Sequence, residues 1–199
     1  MNVVTGTPQT RTEHATGPAV IGFLASMGIP AMIGVVGFLS LGVDAISWVG
    51  AIVWGIVATV AFTLVTMMGK AMGMTRMDLL DLLGSMFVRP GTAASKGLGS
   101  VIHLMNGALL GIGWAYGSGL AGWPTNWITG LAWGLLLWVL ALVMMSTMGT
   151  VHPAIRRGEQ DDPGFAATNF GRMTPMGSLV GHAVYGIVLG AGYQAWPIG

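Results

Sequence analysis

The chain has no cysteine and little charge: only 8% of its 199 residues are Asp, Glu, Lys or Arg. The missing thiol excludes disulfides, thiolate metal sites and iron–sulfur clusters. A charged fraction far below the level of about a quarter normal for soluble domains excludes an ordinary water-facing surface. Also lacking are a nucleophile elbow, a glycine-rich phosphate loop behind a strand, an HExxH helix and zinc-ligand spacing, so no catalytic residue is assigned. What fills the chain is apolar: 53% hydrophobic residues and 33 glycines, most of them within apolar runs, with a mean hydropathy of +0.73. This is the composition of a helical membrane protein whose helices approach one another closely.

Five runs have about the 20 residues needed to cross roughly 30 Å of hydrocarbon: Pro18 to Leu41, Ile46 to Met68, Gly97 to Tyr116, Trp127 to Met148, and Met176 to Trp196. The expected fold is all-α, an integral membrane bundle of five transmembrane helices. Residues 1–17 form a polar cytoplasmic tail without the apolar core of a signal peptide, and 18–199 a single transmembrane domain. Pro30 is expected to kink the first span. Five crossings put all eight basic residues (Arg11, Lys70, Arg76, Arg89, Lys96, Arg156, Arg157, Arg172) on one side. The positive-inside rule makes that side, with the N-terminus, cytoplasmic, and puts the C-terminus opposite, in an inner or plasma membrane. Trp48, Trp123, Trp127 and Trp196 fall near the other ends, as in an aromatic belt.

The segment HLMNGALLGIGW, His103 to Trp114, returns 79 positions later as HAVYGIVLGAGY, His182 to Tyr193. Both copies carry glycines at +4, +8 and +10 and an aromatic at +11. Trp48, Trp54 and Gly55 match Trp127, Trp133 and Gly134 at the same offset. The chain therefore divides into an extra helix (18–45) and two tandem units of two helices (46–117 and 125–196). Two crossings per unit give the copies one orientation, related by an axis along the membrane normal. That symmetry places His103 and His182 at one depth, roughly 9 Å from their spans' predicted starts at 1.5 Å per residue. Gly107, Gly111, Gly186 and Gly190 form close-packing faces, with Asn106 and Tyr185 among the polar groups beside the imidazoles.

The long loops carry further expectations. Thr75 to Val88 has the spacing of an amphipathic helix lying in the interface. Asp78 and Asp81, like Glu159, Asp161 and Asp162, suit solvated loop charges, and His152 an exposed loop position. Asp161-Asp162-Pro163 predicts a helix start opening Gly164 to Phe170, with Phe165 and Phe170 at the bilayer edge.

Three functions compete. The leading one is a non-enzymatic helical module, a subunit or homo-oligomer in the bilayer packing through its glycine faces. The second is a redox module with b-type haem or another tetrapyrrole on His103 and His182, its edge admitted by Gly107 and Gly186. Against it, such glycines draw helices closer than the usual 8–10 Å. The third is a proton or metal transporter using the histidines as a relay. The imidazoles of His103 and His182 together with thioethers from Met68, Met72, Met145 and Met148 would suit a soft ion such as Cu(I) if they converged; methionine is otherwise a common gap filler. The basic residues are spread over three segments and interleaved with acids, so no nucleic-acid partner is expected.

The segment Asp162 to Gly192, through Pro163, Gly164, Phe165, Gly171, Pro175, His182, Tyr185, Gly186 and Gly190, resembles the C-terminal signature of a family of small polytopic membrane proteins of unknown function in bacteria and archaea. The resemblance implies a helical membrane bundle and no established activity.

Overall fold

The structure, a computed structural model, describes residues 16–196 and 198; the expected tail lies outside them except for its last two residues. Seven α-helices follow in order: α1 (Thr16–Leu41), α2 (Trp48–Ala71), α3 (Leu79–Gly84), α4 (Ala93–Ala121), α5 (Trp127–Val151), α6 (Pro153–Arg156) and α7 (Thr174–Ala195). Five of them (α1, α2, α4, α5, α7) are long and apolar enough to cross a membrane, and no strand occurs among the described residues. The protein is an all-α, multi-pass membrane bundle.

Local chemistry sets the ends. Ser47 caps α2 by accepting from the Gly50 amide, and Asn126, 79 positions later, caps α5 by accepting from the amides of Ile128 and Thr129. Thr92 and Ser95 form a capping box at α4. Gly122, at φ 66°, ends α4 in the left-handed region that glycine enters without strain. α4 and α7 begin earlier than the hydropathy suggests, because Ser95, Lys96, Thr174 and Pro175 extend them past the apolar run. His103 and His182 consequently lie ten and eight residues into their helices, roughly 15 and 12 Å at 1.5 Å per residue, deeper than expected.

Glycine decides the pairing. α2 packs on α4, and α5 on α7, through contacts in which a Cβ on Gly55 would strike the Gly107 carbonyl oxygen and one on Gly130 the Gly186 carbonyl oxygen. The faces at Gly107, Gly111, Gly186 and Gly190 thus close within the chain, and an oligomer would have to use other surfaces. The two units are not identical copies. A Cβ on Gly111 would strike the Ala51 carbonyl oxygen, whereas one on Gly190 would strike the carbonyl oxygen of Asn126, one turn before Gly130, the counterpart of Ala51. α7 is therefore slid about one turn, roughly 5.4 Å, along α5 relative to α4 on α2.

Despite that slide, residues 79 apart meet along the middle of the bundle. Gln160 donates to Asp81 at 3.3 Å, His103 and His182 pack on one phenylalanine, and Trp114 meets Tyr193 edge to face at 5.4 Å. Symmetry-related side chains touch only near their axis, so these pairs trace it from one end to the other. α2 and α7 pack directly, with Trp54 pressed on Gly192. The equivalent pair, α5 and α4, barely touches, because α1 lies against both. There Trp133 stands 3.4 Å from the Cβ position of Gly113, which also faces the Pro30 carbonyl of α1 at 3.1 Å. The extra helix is the wedge that breaks the two-fold.

The two long loops come together at one end. The Arg76 amide donates to the Phe170 carbonyl at 2.7 Å, and its guanidinium to the Asn169 carbonyl at 2.9 Å. Three loop expectations are corrected here. The interfacial helix is only α3, and it packs on α4, where Gly84 meets the Ser95 backbone and Gly99 the Leu80 carbonyl; these glycines draw it inward. Asp81 is buried and accepts from Ser95 Oγ, the Gly91 amide and Gln160. His152 is fully buried, its Nε2–H donating to the Leu82 carbonyl at 3.0 Å. In the second loop, Phe165–Phe170 is a 3₁₀ segment interrupted at Ala166 and Ala167, both at positive φ. Phe165 is exposed, and Phe170 packs beside Met145, Met148 and Leu82.

Candidate functional site

His103 and His182 face one another across Phe62. The ring centroids lie 5.4 Å from Phe62 for His103 and 4.9 Å for His182, both edge to face. Together with Thr59, Asn106, Gly107 and Tyr185 they line a chamber of about 60 Å³. The fold thus brings the expected residues to one place. His182 Nδ1 donates to the Ser178 carbonyl of its own helix at 2.8 Å, not across to another helix. A carbonyl only accepts, so Nδ1 carries the proton in the neutral ring and Nε2 is left as an acceptor. His103 Nε2 is buried without a hydrogen-bond partner among the described residues. The bond that does cross between helices runs from Tyr185 Oη to the Gly107 carbonyl, at 2.9 Å.

As placed here, the two imidazoles have no porphyrin-sized space between them. Phe62 stands against both imidazoles, and about 60 Å³ is far below the roughly 300–1,000 Å³ of pockets that hold cofactor-sized ligands. Gly107 and Gly186, expected to admit a porphyrin edge, face Thr59 and the Gly130 backbone instead. The methionines do not form one group either. Met68 and Met72 border a separate cavity, whereas Met145 and Met148 are buried with Leu82 and Ala167. No cluster of three or more His, Cys, Asp or Glu side chains with metal-binding geometry occurs among the described residues.

Sequence reasoning passed over Phe62, and the signal was present. Its counterpart 79 positions on is Ala141, and a large residue matched by a small one is what a single ring on a two-fold axis requires. Phe62 also borders the second cavity, of about 650 Å³, which opens between the end of α2, the segment leading into α3, and the first turns of α4 and α7. At its mouth, Asp78 Oδ2 accepts from Lys70 Nζ at 2.9 Å and from Lys96 Nζ at 3.2 Å. Burial works against the Asp78 charge, but hydrogen bonds from Lys70, the Asp81 amide and Lys96 outweigh it and hold the carboxyl below its ordinary pKa.

Five apolar helices, two glycine-locked pairs and a histidine pair on their common axis define a small polytopic helical membrane protein. The chain belongs to DUF6789, a family of unknown function, over residues 45–197. The match takes in both two-helix units, well beyond Asp162 to Gly192, and leaves α1 outside. No curated protein matches the chain. No solved structure matches it.

Proposed function

We propose that the protein is a non-enzymatic module of the cytoplasmic membrane that works as a homo-oligomer or as a subunit of a larger membrane complex. In this reading the end carrying the two long loops is cytoplasmic, because Lys70, Arg76, Arg89, Lys96, Arg156, Arg157 and Arg172 all lie in or beside those loops. The observation that carries the reading is the backbone-on-backbone closure of both helix pairs inside the chain. It makes a preassembled unit whose remaining apolar faces point outward. α1 supplies the clearest of these, with Ile21, Met32, Val35 and Leu39 exposed, while Gly22 faces Val143 and Thr147 of α5, and Pro30, Gly34 and Gly37 face Gly113 and Tyr116 of α4.

Native mass spectrometry from nanodiscs, with crosslinking in the intact membrane, tests the reading. A discrete oligomer or a stoichiometric partner is expected. A monomer with no crosslinked neighbour in the membrane would overturn it. A second reading, a proton or metal relay, has the unpartnered His103 Nε2 in its favour. That atom lies beside a chamber roomy enough for water, which needs about 10–15 Å³ per molecule. It requires liposome flux that vanishes in both His103→Leu and His182→Leu.

A further inference from the structure

The cavity of about 650 Å³ beside Phe62 has the chemistry of a lipid site. It runs from Phe62 to Lys70 along α2, a depth of roughly 12 Å at 1.5 Å per residue. Its wall is rich in methionine: Met67, Met68, Met72, Met74, Met77 and Met173 all contribute. Unbranched thioether chains adapt to a ligand without a fixed shape, as an acyl chain is. The α2 hydroxyls on it are taken up by their own helix: Thr63 donates to the Thr59 carbonyl and Thr66 to the Thr63 carbonyl, at 2.8 and 2.9 Å, and beside them Thr174 donates to Thr75 Oγ1 at 2.8 Å. The wall therefore presents a largely apolar surface.

The mouth has the opposite character. Lys70 lies in the last turn of α2 and Lys96 in the first turn of α4, and both ammonium groups reach the single oxygen Asp78 Oδ2. The other oxygen, Oδ1, accepts from the Asp81 amide. One carboxylate facing two ammonium groups leaves a net positive charge. The lysine side chains remain 44% and 54% exposed, with donors free for an anion. On the flank, Met67, Met68 and Met72 are exposed, so the cavity opens sideways along the helix, toward acyl chains, as well as at its charged end. Gly69 and Gly177 line it with nothing within 4 Å of their Cβ positions.

We propose that this cavity binds an anionic phospholipid, one acyl chain lying along the methionine wall toward Phe62 and the headgroup phosphate seated on Lys70 and Lys96. The inference goes beyond the module reading and survives whether the protein is an oligomer or a monomer. It needs only the basic end at a lipid headgroup layer, where each lysine draws anionic lipid.

The test uses the full-length protein in detergent, exchanged with phosphatidylglycerol or phosphatidylcholine of the same acyl chains, with bound lipid counted by native mass spectrometry. Retention of phosphatidylglycerol at least about tenfold above phosphatidylcholine is expected. Lys70→Gln with Lys96→Gln should bring the two lipids to parity. Gly177→Leu, at a position whose Cβ meets nothing within 4 Å and which lines the cavity, should lower retention of both, and Gly69→Leu serves the same purpose should Gly177→Leu lose helical signal. Equal retention of the two lipids by the unaltered protein, or unchanged retention in both filled variants, would overturn the proposal. Preferential, lysine-dependent retention of oleate over phosphatidylglycerol would overturn the phospholipid assignment.

Discussion

Gly134 and the carbonyl of His182 meet so closely that no Cβ fits between them. The counterpart of Gly134 in the first unit, Gly55, meets the carbonyl of Gly107, one turn further along its partner helix. The same glycine therefore serves two different registers. What it supplies in each is an absence of side chain, not a specific contact.

Gly134→Ala should destabilise the protein by about 1–3 kcal/mol, because the obstacle is the backbone of α7 and cannot rotate aside. Gly177→Ala meets nothing within 4 Å and should be neutral or stabilising, by up to about 1 kcal/mol from helix propensity. Thermal unfolding in one detergent compares them. Equal losses would show that these glycines do not set the pairing.

Phe62 makes a separate forecast about the histidine pair. With its ring against both imidazoles, the unaltered protein mixed with haem should show no Soret band that His103→Ala or His182→Ala removes. A band of that kind, at one haem per chain, would mean that Phe62 leaves its place. Truncation to Phe62→Ala should cost about 3 kcal/mol or more through the cavity left behind, measured as a fall in melting temperature.

Asp81 should matter more to stability than a loop carboxylate would. Asp81→Ala removes the acceptor of the Gly91 amide and of the Gln160 amide, and one of the two acceptors within reach of Ser95 Oγ, and hydrogen bonds to a charged group contribute about 1.5–3 kcal/mol. Tyr185→Phe removes only the bond to the Gly107 carbonyl, and about 0.6–1 kcal/mol is expected within a membrane bundle. Chemical or thermal unfolding that ranks Tyr185→Phe above Asp81→Ala would contradict this ordering.

Those contrasts show which features the sequence exposes. The five spans were legible because hydrocarbon thickness fixes a length, and the paired histidines because the offset of 79 repeats across a whole helix. Gly107 and Gly186 were legible as packing faces, but not the helix each would face. Asp81 and His152 were misjudged because a charge or an imidazole in a polar loop looks solvated unless its buried partners are known. Those partners, Gln160 and Leu82, lie 79 and 70 positions away. The methionine-walled cavity was invisible for a related reason. Its lining comes from α2, α4, α7 and the loop into α3, and only packing brings those segments together.

His152 gives a prediction whose sign follows from its surroundings. Its Nε2–H donates to the Leu82 carbonyl, and Nδ1 accepts from the Ile155 amide at the start of α6, at 3.5 Å. The ring is thus used as a neutral tautomer, and a proton on Nδ1 would displace the cap. Burial is the main force holding its pKa below the ordinary 6.5. The Leu82 hydrogen bond works the other way, and the nearby Arg157 charge adds to the lowering. In the unfolded chain the imidazole takes up its proton near 6.5, whereas in the folded protein it does so only at lower pH. Between those values the unfolded state binds more protons, so this group's contribution is complete above about pH 6.5 and declines as the pH falls through that window. Asp78, also held below its ordinary value of 3.8, contributes in the same direction but only near and below that pH, so the two windows separate. His152→Gln keeps a donor toward Leu82 and removes the titration. Melting temperatures of the unaltered protein and this variant, measured from pH 7.5 to pH 5, should converge as the pH falls, with the unaltered protein losing more. Parallel curves would mean that His152 carries the same charge in both states.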